Sequence, residues 1–136
     1  MANDKDSAIK RSLENWKAAE LLACSRNKKE RFWNAASSRL YYSVLLLVFA
    51  EMSCHEGFKM GGSTEQHKQA REYMKERYQR SSRVFRDLED LRNRADYGTV
   101  PISENEFRNT WKKWNDGGLY NSYLTNLKSE CERVII

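Results

Sequence analysis

Leu40-Tyr41-Tyr42-Ser43-Val44-Leu45-Leu46-Leu47-Val48-Phe49-Ala50 is the stretch on which the fold turns. It is apolar around the whole circumference of a helix, so it has no face to offer to water. A helix of that kind belongs at the centre of a bundle, with neighbours on several sides. Crossing a bilayer takes about 20 such residues, so the run predicts a buried core helix and no membrane contact. Six Gly and one Pro in 136 residues leave too few turn formers for a many-stranded sheet. No segment alternates in the manner of a half-buried strand. The expectation is an all-α bundle of four or five helices in one domain, residues 1–136.

Outward from that run, helices are delimited by a few punctuation points. A first helix over about 6–25 places Ile9, Leu13, Trp16 and Leu22 roughly on one stripe. Asn27-Lys28-Lys29-Glu30 fits a capping box that opens the central helix, which runs to about Cys54. After a loop at Gly57–Gly62, Ser63-Thr64-Glu65-Gln66 offers a further cap, and Ala70, Tyr73, Met74 and Tyr78 line a third helix. A fourth, over about 82–97, carries Val84, Leu88, Leu91 and Ala95 at steps of four, three and four, with Gly98 as its stop. Arg80-Ser81-Ser82 is a candidate break between the third and fourth. In Pro101-Ile102-Ser103-Glu104-Asn105-Glu106-Phe107, Ser103 and Glu106 make a capping box while Ile102 and Phe107 hold the hydrophobic-staple positions. Beyond Trp111 and Trp114, Gly117-Gly118 either kinks the helix or separates it from an additional C-terminal helix over 119–136. That segment carries Tyr120, Leu124, Leu127, Cys131 and Val134 as a stripe that docks on the core or serves a partner.

The chain has 24 Lys+Arg against 19 Asp+Glu, a formal charge of +5 that permits a polyanionic partner without demanding one. The polar start, Met-Ala-Asn-Asp-Lys-Asp, predicts no signal peptide, and the protein is expected to be cytoplasmic. Cys24, Cys54 and Cys131 are far apart and are expected to be buried, reduced thiols. The two histidines, His55 and His67, lack the i, i+3 or i, i+4 partners of a helical metal site, so no metal or cofactor is expected. Gly61-Gly62-Ser63-Thr64 lacks the spacing and the Lys of a phosphate loop, although it precedes a helix N-terminus.

Two polar blocks stand beside apolar stripes. In Arg92-Asn93-Arg94-Ala95-Asp96-Tyr97, Arg92 and Asp96 are four apart, as are Asp90 and Arg94. Ion pairing on a solvated face accounts for that spacing, with Tyr97 capping the core. In Ser38-Arg39-Leu40-Tyr41-Tyr42, an arginine enters the most apolar helix and needs a carboxylate across the bundle, for which Asp96 is a candidate. Basic residues are also dense from Arg71 to Arg94, with Arg80, Arg83 and Arg86 as phosphate-contact candidates if they share a face.

Ala36-Ser37-Ser38-Arg39-Leu40-Tyr41-Tyr42-Ser43-Val44, His67-Lys68 and Leu91-Arg92-Asn93-Arg94-Ala95-Asp96-Tyr97 resemble, in order and helical placement over about 8–116, the HEPN domain. The likeness is to its small stand-alone prokaryotic members with R-x-x-Y-Y and R-x-A-D-Y signatures. The resemblance implies an up-down four-helix bundle with an added helix, and a homodimer whose Arg-bearing helices surround a shared groove. Many members of that family are metal-independent endoribonucleases of toxin–antitoxin and defence systems. Others pair with a minimal nucleotidyltransferase or bind nucleotides without cutting. In the nucleases an Arg is followed four to six residues later by His; neither Arg92 nor Arg94 has such a His. Arg94 carries over as the motif Arg, with Asp96 and Tyr97.

Three readings follow. The first is an RNA- or nucleotide-associated binding module, with Arg94, Asp96, Tyr97, Arg39, Tyr42, Arg80, Arg83 and Arg86 as candidate contacts. It acts with a nucleotidyltransferase-type partner or in a defence locus. The second is a metal-independent ribonuclease that combines Arg94 with a base outside the usual motif, such as His67 or Tyr97. The third is a structural partner for another protein.

Overall fold

The computed structural model describes residues 4–24, 32–55 and 64–116, omitting some side chains at the segment ends and that of Arg80. These residues form five helices and, among them, no strand: α1 (Asp4–Ala23), α2 (Trp33–His55), α3 (Thr64–Arg77), α4 (Gln79–Tyr97) and α5 (Glu104–Asp116). The all-helical reading therefore holds. The segments 25–31, 56–63 and 117–136 lie outside the described residues, and with them the Asn27 box, the Gly57–Gly62 loop, Gly117-Gly118 and the C-terminal stripe.

The apolar run behaves as its composition requires. From Leu40 to Ala50 every residue but Tyr42 is buried, Ser43 included, and α2 packs against each of the other four helices. Each large side chain withdrawn from water there contributes about 1.5–3 kcal/mol. The central helix begins at Trp33, later than Asn27 suggests: Phe32 is not helical, and its carbonyl accepts the N–H of Ala36.

α1 runs antiparallel to α2, as the pairs Ser12–Ser43, Asn15–Arg39 and Leu22–Phe32 indicate. The face it buries is not the expected large-residue stripe. Ala8, Ser12, Ala19 and Ala23 are fully buried together with Ile9, whereas Leu13, Trp16 and Leu22 are only partly covered. Small side chains let the two backbones approach, and two serines fill the seam. Ser12 Oγ donates to the Ser43 carbonyl at 2.6 Å, and Ser43 Oγ donates to the Ser12 carbonyl at 3.0 Å. Reciprocal bonding satisfies both buried hydroxyls, which would otherwise cost about 1–3 kcal/mol each.

α3 and α4 are separated by the single residue Tyr78, at φ −139° and ψ 68°, and the Arg80-Ser81-Ser82 segment is helical. The junction is pinned by the Tyr78 phenol, which donates to Glu51 Oε1 at 2.6 Å. α4 buries the expected Leu88 and Leu91 and adds Phe85. Gly98 ends the helix through a bond from its N–H to the Arg94 carbonyl at 2.9 Å. A Cβ at Gly98 would sit 2.6 Å from that same carbonyl oxygen, so the close backbone approach excludes a side chain.

The α5 start is as its sequence describes. Ser103 N–H donates to Glu106 Oε2 at 3.1 Å, Glu106 N–H donates to Ser103 Oγ at 3.2 Å, and Ile102 and Phe107 are buried. Asn34 ties this junction to α2: its Oδ1 accepts the Ile102 N–H at 2.8 Å, and its Nδ2 donates to the Ala95 carbonyl at 3.3 Å. No helix among the described residues is long and apolar enough to cross a membrane.

Candidate functional site

Where α2, α3 and α4 meet, the apolar packing gives way to a polar network. α2 and α4 are antiparallel, which brings the Tyr41-Tyr42 pair beside the last turns of α4. Arg92 is the hub. Its Nη2 donates to Tyr42 Oη at 2.9 Å, its Nη1 donates to Asn93 Oδ1 at 3.1 Å, and its Nε lies 2.9 Å from Asp96 Oδ2. That last approach is an ion pair without hydrogen-bond alignment, which leaves a buried Nε–H without an aligned acceptor. The guanidinium also lies 5.7, 5.4 and 5.5 Å from the ring centroids of Tyr41, Tyr42 and Tyr97. Burial opposes its charge, but Tyr42, Asp96 and Tyr97 outweigh that cost and its pKa is raised.

His67, on the first turn of α3, enters the same network. Its Nδ1 is 2.8 Å from Tyr41 Oη, and Tyr41 Oη also donates to Glu89 Oε2 at 3.4 Å. Glu89 Oε1 accepts from Arg71 Nη1 at 2.6 Å. Burial lowers the His67 pKa below its ordinary value, and the positive charges of Arg92 and Arg71 lower it further against the opposing pull of Glu89. His67 is therefore held as the neutral imidazole near pH 7. The Tyr41 phenol is pushed well above its ordinary range by burial and then by Glu89, so it stays protonated.

A groove opens beside this network, between α3 and α4. It has a volume of about 220 Å³ and is lined by Lys68, Arg71, Glu72, Lys75, Ser82, Phe85 and Arg86. Among the described residues that line it, four are cationic and one is a carboxylate, with the Phe85 ring as the floor. A larger cavity, about 620 Å³, lies between the end of α1 and α5. Its lining includes Leu21, Ala23, Phe107 and Trp111; it is mainly apolar and shares no described residue with the network. Among the described residues no group of three or more His, Cys, Asp or Glu could hold a metal ion.

The sequence candidates divide accordingly. Tyr42, Asp96, Tyr97 and His67 are brought together, around Arg92, which the spacing had marked only as half of an ion pair. Arg86 lines the groove; Arg83 is exposed outside it, and the Arg80 side chain is not described. Arg94 turns to the other side of α4 and pairs with Glu106 at 3.1 Å; it makes no ion pair with Asp90 among the described residues. Arg39 is exposed and donates to Asn15 Oδ1 at 3.3 Å, so it does not meet Asp96, whose partner is Arg92. A surface arginine needs no buried carboxylate. Tyr97 does not cap the core but is 75% exposed. Cys24, expected to be buried, is exposed one residue past α1, while the side chains of Cys54 and Cys131 lie outside the described residues. Comparisons with family models, with curated proteins and with solved structures find no match for this chain.

Proposed function

We propose that this chain is a HEPN-type module that binds RNA or a nucleotide through phosphate contacts in the α3–α4 groove. In this reading the helices are those of the up-down HEPN bundle. The protein works as a homodimer with a nucleotidyltransferase-type partner, or within a toxin–antitoxin or other defence locus in the cytoplasm. The observation that carries the reading is the lining of the groove, where Lys68, Arg71, Lys75 and Arg86 converge with Glu72 as the one carboxylate among the described lining residues. Arg71 is already paired with Glu89, but Lys68, Lys75 and Arg86 make no ion pair among the described residues. Clustered cations that lack carboxylate partners are the footprint of a phosphate backbone. The Tyr–Arg–His network braces the groove, because Glu89 holds Arg71 on one side and Tyr41 on the other.

The test is the affinity of labelled single-stranded RNA as a function of salt. Binding weakens steeply with salt, and Lys68→Ala or Arg86→Ala lowers the slope by about 0.7 for each phosphate that is no longer neutralised. Absence of binding at low salt defeats the reading and turns attention to a protein partner.

A second reading, metal-independent RNA cleavage, has one observation in its favour. His67 and Arg92 share a network although they are far apart in sequence, and His67 is neutral near pH 7, as a general base must be. Cleavage that persists in EDTA and is lost in His67→Asn establishes it; intact RNA under the same conditions excludes it.

A further inference from the structure

We infer that the ligand of the α3–α4 groove is a single strand longer than a mononucleotide, with one of its bases stacked on Tyr97. The inference rests on the phosphate-binding reading above. Ser82, Arg86, Glu89, Asn93 and Tyr97 follow one another on α4 at steps of four, three, four and four, so they share one face of the helix. Ser82 and Arg86 line the groove, and Tyr97 ends the same face 75% exposed. The other aromatic ring of α4, Phe85, is buried, so Tyr97 is the aromatic ring that this helix presents to solvent.

The Tyr97 ring is also held in place. The Arg92 guanidinium lies 5.5 Å from its centroid, and Arg92 is itself fixed by the Tyr42 hydroxyl and Asp96. An aromatic ring braced by a cation and open to solvent is a platform for a nucleobase, since every base has a π-face to offer.

The distance between platform and groove sets the length of the ligand. Arg86 and Tyr97 are separated by about 16 Å of helix rise. At about 3.4 Å per nucleotide that is the length of roughly five stacked nucleotides, and of fewer in an extended strand. A nucleoside monophosphate is shorter than that rise, so a longer strand spans the two positions more readily. A duplex can offer phosphates to the groove, but its internal base faces are covered.

Fluorescence anisotropy with a labelled RNA decamer separates the parts. Inorganic polyphosphate serves as a base-free ligand and AMP as a single nucleotide. Tyr97→Ala is expected to weaken the decamer about five- to 150-fold, with the salt slope and the polyphosphate affinity unchanged. Tyr97→Phe and Tyr97→Trp retain the wild-type affinity, because they keep the ring. Arg86→Ala weakens decamer and polyphosphate alike. Because Tyr97 is exposed, the fold survives the substitution, which circular dichroism checks. Unchanged decamer affinity in Tyr97→Ala, with salt-sensitive binding intact, overturns the platform and leaves the groove reading standing. AMP binding as tightly as the decamer overturns the length requirement. A wild-type protein that binds neither RNA nor polyphosphate overturns the groove reading and the platform with it.

Discussion

Arg92 and Arg94 stand two residues apart on one helix and live in different environments. Arg92 faces α2, where three tyrosine rings, a phenol oxygen and Asp96 surround its half-buried guanidinium. Arg94 faces α5, where it pairs with Glu106, and both side chains of that pair are more than 40% exposed. Its surroundings are acidic: Asp87, Asp90 and Glu106 line the shallow depression that Arg94 shares. The same residue type thus organises a network on one face of α4 and ties down a surface on the other. What separates the two is how much water each face has given up, since an ion pair in water contributes little and one partly withdrawn from it is costly to break.

The largest effect tests what the two faces share. Leu88 is fully buried between them, and Leu88→Ala is expected to destabilise the protein by about 2–5 kcal/mol. Urea denaturation should show a lower midpoint with an unchanged slope. A loss below about 1 kcal/mol would mean that the two faces of α4 are supported independently.

Next in size is the hub itself. Arg92→Ala strands the Tyr42 hydroxyl and the Asp96 carboxylate in a partly covered site, and is expected to cost about 2 kcal/mol. Arg92→Lys restores the charge but not the planar fork that meets Tyr42 and the rings together, so it recovers only part of the stability. Full recovery by Lys would show that charge alone matters on this face and would erase much of its contrast with Arg94.

How the two arginines differ was not legible in the sequence, for a geometric reason. With Val84, Leu88, Leu91 and Ala95 defining the buried stripe, Arg92 and Arg94 fall roughly 70–90° to either side of its centre. Periodicity places both at the edge of the core and cannot say which edge meets tyrosines and which meets an acidic neighbour. That depends on the packing of α2 and α5, which is tertiary information. The Ser103–Glu106 box was legible because both partners lie within one turn, and the central helix was legible because its composition leaves it nowhere else to go. Asn34, 61 and 68 residues from its partners, and the Ser12–Ser43 seam, 31 residues apart, left no local pattern to read. Small residues on α1 look like gaps in a hydrophobic stripe until the helix that fills them is known. Of the candidate site, the residue types were visible in Tyr42, His67 and Asp96, but the hub was not.

The network face should also respond to pH in a way the α5 face does not. His67 is surrounded by Tyr41, Tyr42 and Phe49 from α2, Arg71 from α3, and Glu89 and Arg92 from α4. Its pKa is lowered on folding, first by burial, so the unfolded chain binds the proton more readily. Stability is therefore expected to rise with pH through the window below about 6.5 and to be lost as pH falls through it. In His67→Gln the decline between about pH 7 and 5 should flatten. A wild-type slope in that variant would assign the proton uptake to another group.

The smallest effect belongs to Arg94. Glu106 has its pKa lowered first by the Ser103 N–H and then by Arg94, so removing the arginine leaves the carboxylate on its cap. A lowered carboxylate pKa stabilises the fold above the ordinary carboxylate range, and that contribution is lost as pH falls through the lowered value. Arg94→Ala is therefore expected to leave the unfolding midpoint at pH 7 within experimental error, and acid unfolding nearly unchanged. It should also leave RNA affinity near wild type, because three carboxylates share the surface of Arg94 whereas four cations line the groove that holds Arg86. A drop in RNA affinity in Arg94→Ala exceeding that in Arg86→Ala would move the ligand to the α4–α5 face. It would also make Arg94, as the R-x-A-D-Y likeness implies, the arginine that meets phosphate.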